Sequence, residues 1–349
     1  MDQKPSDSSE DRFAGSLRKT VGWLGLTVFL SVALLMIILA GPESFSTFTL
    51  RSTESQAEVP LVSADTMWHA PDTTGLPAGE EGRLIRYGRE LISRTAYYLG
   101  PEGSVAQISN GMNCQNCHLD AGTRPFGNNY SAVAPTYPKF RARSGTMETM
   151  QKRVNDCIQR SLNGKPLDTA SREMHAILAW FGWLGRGTKK GVSPNGSGLL
   201  TLTFLSGPAN PKRGQKLFMQ QCTVCHGKSG EGMRNPGGKG WMYPPLWGEN
   251  SYNTGAGLYR LSRFAGYIKA NMPLGATYDK PMLTDEEAWH IAAFVNSQPR
   301  PVKDLTGDWP DISKKPVDHP FGPYSDGFSE EQHKYGPFGP IAERQKKKK

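Results

Sequence analysis

The longest unbroken apolar stretch runs from Val21 to Ala40 (VGWLGLTVFLSVALLMIILA) and carries no charge. At about 1.5 Å per residue, roughly 20 residues match the hydrocarbon core of a bilayer, so the run predicts a transmembrane helix or signal anchor over 21–41. Arg12, Arg18 and Lys19 precede it, and Glu43 is the first charge behind it. That asymmetry leaves residues 1–20 in the cytoplasm and exports everything after the helix. Cleavage after Ala40 would put Ile38 where a small residue is wanted, so a retained anchor is favoured over a soluble, cleaved form. Residues 42–79 are rich in Ser, Thr, Pro and Gly and read as a linker.

From Glu80 the pattern becomes helical. Leu84, Ile85, Tyr87, Leu91 and Ile92 recur at i, i+3 and i+4 spacing. Residues 172–184 (REMHAILAWFGWL) form a second, strongly apolar helix closing a unit over 80–185. Between them, Thr146 to Asn163 predicts a helix with Thr146 as N-cap and Gly164 at C′. Its apolar stripe is Met147, Met150, Val154, Ile158 and Leu162. A linker over 186–209 leads to a second unit, 210–300, that repeats the plan. Asn210-Pro211 starts a helix running to Cys222, and Thr284 with Glu287 has capping-box spacing before Trp289, Ile291, Phe294 and Val295. The Pro/Gly-rich tail, 301–349, is expected to wrap the surface without regular structure. The fold class is therefore mainly α, two tandem helical domains behind an N-terminal transmembrane helix.

At 349 residues the chain has room for two or three domains. Its net charge of +9 includes the terminal run Lys346 to Lys349, a pattern of solvated tails. No basic helix interleaved with aromatics points to nucleic acid, and a mild positive field suits small anions or an acidic redox partner.

The cysteines change the picture. Cys114-Gln-Asn-Cys117-His118 and Cys222-Thr-Val-Cys225-His226 each carry C-x-x-C-H, the attachment pattern of c-type haem. Two sulfurs on one turn reach the two vinyl groups, and the adjacent histidine is held beneath the iron as its proximal ligand. A redox pair does not need the histidine, and a zinc ribbon would not repeat it in both halves. Two covalently bound haems c follow, one in each of two class I cytochrome c domains. Their propionates offset part of the positive charge.

Each iron then asks for a ligand opposite its histidine. In the second domain Met272, in Asn271-Met272-Pro273, lies 46 residues after His226. It competes with Met233, Met242, Met282 and the nearby Lys269. In the first domain Cys157, the odd cysteine, lies 39 residues after His118. Arg153, Cys157 and Ser161 share one edge of their helix at i, i+4 and i+8, and a nearby guanidinium lowers a thiol's pKa. The competing ligands are Met147, Met150 and Met174, with Cys157 as a buried, inert thiol. Arg141 and Arg143 lie upstream in a Pro-rich loop. Converging with Arg153 near a thiolate, they would mark an anion site.

With NCQNCH, APTYP-x-F-x-x-R, the R-x-x-x-C-x-x-x-S helix, the C-x-x-C-H/NMPLG pair and GPFGPI near 340, the chain resembles the dihaem thiosulfate dehydrogenases. The resemblance runs from about residue 80 to 340. It implies oxidation of two thiosulfates to tetrathionate, possible in both directions, with electrons leaving through the second haem to an external acceptor such as another cytochrome c. It implies that His118 and Cys157 ligate the active-site haem, that Arg143, Arg153 and Ser161 hold the sulfur oxyanion, and that His226 and Met272 ligate the second haem. Some members place a lysine just before the methionine and exchange ligands there. Asn271 at that position implies plain His/Met ligation. The rival functions are a non-enzymatic dihaem electron carrier and a carrier-dependent Sox-type sulfur cytochrome. The expected location is the periplasmic side of the inner membrane.

Overall fold

The computed structural model describes residues 67–347, together with Ser16, Arg18, Val21, Trp23, Leu24 and 27–32. Those N-terminal residues are helical, and the remainder of the apolar 21–40 run, with the linker up to 66, lies outside the described residues. Among the described residues no helix is long and apolar enough to cross a membrane.

The first domain is built on α1 (Gly79–Ser93), continued by α2 (Thr95–Leu99). Glu80 and Glu81 sit in the first turn of α1, where negative charge complements the helix dipole. Its buried face, Ile85, Leu91 and Ile92, packs on α4 (Arg172–Leu184). Ser171 caps α4 by accepting from the Met174 N–H. The two helices touch backbone to backbone at Gly88, where a Cβ would lie 1.9 Å from the Ala176 carbonyl oxygen. Trp180 is fully buried and donates from Nε1 to the Ala121 carbonyl at 2.9 Å.

Between α1 and α4 a short antiparallel hairpin precedes α3 (Met150–Arg160). Its strands are β1 (Lys139–Arg141) and β2 (Thr146–Glu148), with Arg141 opposite Thr146. The helix expected from Thr146 therefore starts later and is capped by Thr149, not Thr146. Gly145, at φ +65°, makes the tight turn that commits Thr146 to the strand. Met147 consequently stands 62% exposed instead of joining the apolar stripe. The helix also ends earlier, at a Ser161 cap, because Asn163 takes a left-handed conformation (φ +43°) and the Gly164 N–H turns back to the Ile158 carbonyl.

The second domain repeats the frame. Asn210 caps α5 (Pro211–Gln221), and α6 (Thr223–His226) follows it. A small ribbon pairs β3 (Met233–Arg234) with β4 (Trp241–Tyr243). Then come α7 (Leu261–Asn271), a helix the sequence pattern did not single out, and α8 (Asp285–Ser297). The Thr284/Glu287 capping box of α8 is formed on both sides. At the α5–α8 crossing a Cβ on Gly214 would lie 1.8 Å from the His290 carbonyl oxygen, the same contact that Gly88 makes in the first domain. Gly214→Ala improves helix propensity by about 0.8–1 kcal/mol. The clash outweighs it, and a net loss of roughly 1–3 kcal/mol is expected. Denaturant unfolding of the variant checks this; an unchanged or raised midpoint contradicts the crossing.

The described residues from Met67 onward belong to one compact unit. The 186–209 connector lacks helix but is threaded into both domains. Its Gly196 and Gly198 carbonyls accept from the Phe126 and Asn128 N–H groups, and Leu202 and Ala209 are buried. The tail also departs from expectation. It forms α9 (Glu330–Tyr335) and α10 (Gly339–Lys346) and buries Phe338 and Ile341 against Trp289 and its neighbours. Lys346 belongs to the last turn of α10, where positive charge suits the dipole; Lys348 and Lys349 lie outside the described residues. Asp308 grips Arg160 through two bonds of 2.8 and 2.7 Å, and Asp318 grips Arg260 at 2.8 and 2.6 Å, so the tail straps both domains.

His319 in that strap is 9% exposed, and its pKa is lowered to about 4, mainly by burial. Lys315, Arg143 and Arg260 nearby press it the same way, while the Phe321 carbonyl opposes them. The unfolded chain thus takes up the proton first. His319 supports the fold fully above about pH 6.5 and loses that contribution as pH falls toward 4. His319→Phe is expected to flatten the acid limb of stability between those values, read from unfolding midpoints at pH 7 and 4.5. An unchanged slope would contradict the assignment.

Candidate functional site

The first motif is set by its flanks. The Ala96 N–H donates to Asn113 Oδ1, the Cys114 N–H to Thr95 Oγ1, and the His118 N–H to the Cys114 carbonyl. Cys114 and His118 are thereby held on one turn against the first residues of α2. His118 donates from Nδ1 to the Asn128 carbonyl and stacks on Tyr130, with ring centroids 4.4 Å apart. This fixes the tautomer and leaves Nε2 with the lone pair a metal needs; the Asn128 side-chain nitrogen lies 3.4 Å from it. Burial lowers the His118 pKa to about 4, with the Arg153 charge adding to the effect, so the ring is neutral.

Cys114, Cys117 and His118 line one cavity. Arg153 and Cys157 of α3 line it too, with Ser161 at the cap of that helix. Among the described residues no methionine lines it: Met147 is exposed on β2, Met174 is fully buried within α4, and Met150 lies off the wall. Burial pushes the Cys114 and Cys117 thiols up to about 11 and 12. Arg153 is raised instead, chiefly by Cys157 beside it and against its own burial. Among the described residues its guanidinium has no carboxylate within ion-pair distance.

Arg143 is placed differently. It lies outside the cavity lining, and burial, with Arg160 and Arg153 nearby, lowers its pKa to about 10. Arg141 lies on β1, not in a loop. Tyr137 was passed over in the sequence, although it sits in the APTYP segment. Its buried hydroxyl has no partner, and Arg153, Arg141 and Cys157 stand close enough to bear on its ionisation, which burial raises. Asn128, which orients His118, was also missed, because an asparagine ten residues past the motif carries no pattern of its own.

The second motif stands on α6. His226 bonds from Nδ1 to the Pro244 carbonyl at 2.9 Å, and burial lowers its pKa. With Cys222 and Cys225 it lines a second cavity that Met272 also lines, just past the end of α7. Met233 and Met282 are exposed and off this wall. Met242 lines it but is 45% exposed. Lys269 is held away by Asp285 at 2.8 Å and the Leu283 carbonyl at 2.7 Å. Cys117 lines both cavities, so the two sites share a wall.

The donor chemistry of both cavities fits a c-type haem: two cysteines on one turn, an oriented histidine, apolar walls and sulfur from outside the motif, Cys157 in the first and Met272 among those of the second. Two family models match in series, "SoxA/TsdA, cytochrome c domain" over residues 104–189 and "Cytochrome c" over 211–299. A thiosulfate dehydrogenase of Allochromatium vinosum is 37% identical over 259 residues, covering 73% of this chain and 91% of the relative. That of Psychrobacter arcticus is 37% identical over 241 residues, 69% of this chain and 71% of the relative. The chain belongs to the thiosulfate dehydrogenase family. This family is one of oxidoreductases with cytochrome c domains, and the two domains here support haem c binding. Among solved structures, the thiosulfate dehydrogenase (TsdBA) of Marichromatium purpuratum superposes with a TM-score of 0.61 at 32% identity. The match covers 67% of this chain and half of that longer one.

Proposed function

We propose that this thiosulfate dehydrogenase joins two thiosulfates into tetrathionate, in a reaction open to reversal, at the first cavity. One observation carries the reading. Cys157, with Arg153 and Ser161, lines the same cavity as the Cys114–His118 turn, and among the described residues no methionine lines it.

Covalent haems on Cys114/Cys117 and Cys222/Cys225, ligated by His118 with Cys157 and by His226 with Met272, supply one-electron acceptors when bound. The remaining work falls to the side chains. Thiosulfate is a dianion and two of them repel, so guanidinium charge must offset them in a confined site. Arg153 binds sulfonate oxygens beside the Cys157 sulfur, Ser161 donates a further hydrogen bond, and Arg143 adds charge near Arg153. The Cys157 thiolate and the sulfane sulfur of the first thiosulfate form a sulfur–sulfur bond, releasing two electrons and leaving a Cys157–S–S–SO₃⁻ adduct. The sulfane sulfur of the second thiosulfate attacks the cysteine-bound sulfur of that adduct. Tetrathionate leaves and the Cys157 thiolate returns, so atoms and charge balance.

Electrons go on to an external acceptor such as another cytochrome c. Residues 21–40 anchor the chain, with its catalytic domains on the periplasmic side of the inner membrane. The deciding experiment mixes purified holoprotein with thiosulfate and ferricyanide, without any partner protein, and follows ferricyanide loss and tetrathionate formation. No reduction would favour the electron-carrier reading. Reduction that appears only when a sulfur-carrier protein is added would favour the Sox-type one.

A further inference from the structure

Helix α7 belongs to the second domain, yet two of its side chains reach into the first. Tyr267 and Asn271 lie one turn apart, both line the second cavity, and they are 5% and 2% exposed. The Tyr267 hydroxyl donates to the Asn116 carbonyl at 3.1 Å, between the two cysteines of the first motif. Asn271 donates from Nδ2 to the Phe126 carbonyl at 3.1 Å and to the Tyr267 carbonyl of its own helix at 3.0 Å. Phe126 stands two residues before Asn128, whose carbonyl orients His118. Both bonds therefore end on the segments that set the Cys114–His118 geometry.

Asn271 also has a buried Oδ1 without a partner. An apolar side chain would fill this place without leaving an acceptor unsatisfied, so an amide here has to be justified by what its N–H group holds. It holds the last turn of α7, and the next residue is Met272. The Met272 N–H still bonds to the Ile268 carbonyl, so the orientation of that turn sets where the thioether points.

We infer that Tyr267 and Asn271 are positioning residues, a two-point clamp that registers Met272 in the second cavity against the motif of the first. The clamp rests on reading Met272 as the second iron's ligand, and the test separates the two claims. The oxidised holoprotein is examined for its far-red methionine-to-iron absorption band, for the potential of the second haem, and for haem content, in Asn271→Leu, Tyr267→Phe and Met272→Ala.

Asn271→Leu is expected to lose most of the band and to change the reduced-to-oxidised ratio of the second haem at fixed poise by about tenfold, equal to ~59 mV for one electron. Tyr267→Phe removes a single oxygen, keeps both haems and changes that ratio by about threefold, since one of two clamp bonds survives. A band and ratio unchanged in both variants would overturn the clamp. Should Asn271→Leu fail to bind haem, Tyr267→Phe decides by itself. A band that persists in Met272→Ala would instead remove the ligand reading on which the clamp stands.

Discussion

Cys157→Gly is expected to abolish tetrathionate formation, by roughly 10³-fold or more, while both haems stay attached. Three cysteine sulfurs line the first cavity, and two of them belong to the C-x-x-C-H turn. Attachment would consume those two, which leaves Cys157 as the sulfur able to exchange bonds. Glycine removes the nucleophile and the proposed iron ligand together, so Cys157→Met makes the sharper companion. A thioether can ligate iron but cannot form the persulfide-type adduct. It is expected to restore a six-coordinate spectrum without restoring turnover. Steady-state thiosulfate oxidation, haem quantification and the spectrum of the oxidised protein check the pair. Activity surviving in either variant removes the covalent route.

The second large effect is expected at Arg153. Removing one preorganised charge from a site where negative charge gathers costs about 10²–10³ in rate, or roughly 3–4 kcal/mol. Arg153→Gln should reduce kcat/KM for thiosulfate by that factor. The cause is visible in the neighbours: Cys157 is the first influence holding the Arg153 charge, and the guanidinium is not committed to a carboxylate ion pair. Arg160, by contrast, is bound to Asp308 and is occupied structurally. Arg153→Lys keeps the charge but loses the planar fork, so it should recover only about one tenth to one third of the lost rate. A Gln variant within twofold of the parent would show that the substrate's charge is met elsewhere, with Arg143 and Tyr137 the next groups to change.

Much of the helical frame could be read from the chain. The α1, α4, α5 and α8 segments carry helical periodicity, the last three have side-chain caps of their own, and each formed close to its expected bounds. The misreadings have two causes. Thr146 reads as an N-cap until the neighbouring Gly145 turns the chain into a hairpin, a local competitor of the cap. The Pro/Gly-rich tail reads as irregular until Phe338 and Ile341 find a core to enter, which depends on partners distant in sequence. Arg143 is a similar case. Its place near Arg153, off the cavity wall, depends on the hairpin and on the Trp309 N–H that bonds to its carbonyl at 2.6 Å.

By itself the sequence determined what is local: two C-x-x-C-H turns, the Asn210 and Thr284 helix starts, most of the helix-forming stripes, and the i, i+4, i+8 row of Arg153, Cys157 and Ser161. These follow from bond lengths and the 3.6-residue turn, which operate over a few neighbouring residues. Only the tertiary structure decided that this row shares a cavity with His118 from 39 positions away, that the described methionines lie off its wall, and that Cys117 lines both cavities while α7 bonds to the first domain. Those choices are made by burial and by long-range bonds such as Asn271 to Phe126, whose partners no local pattern announces.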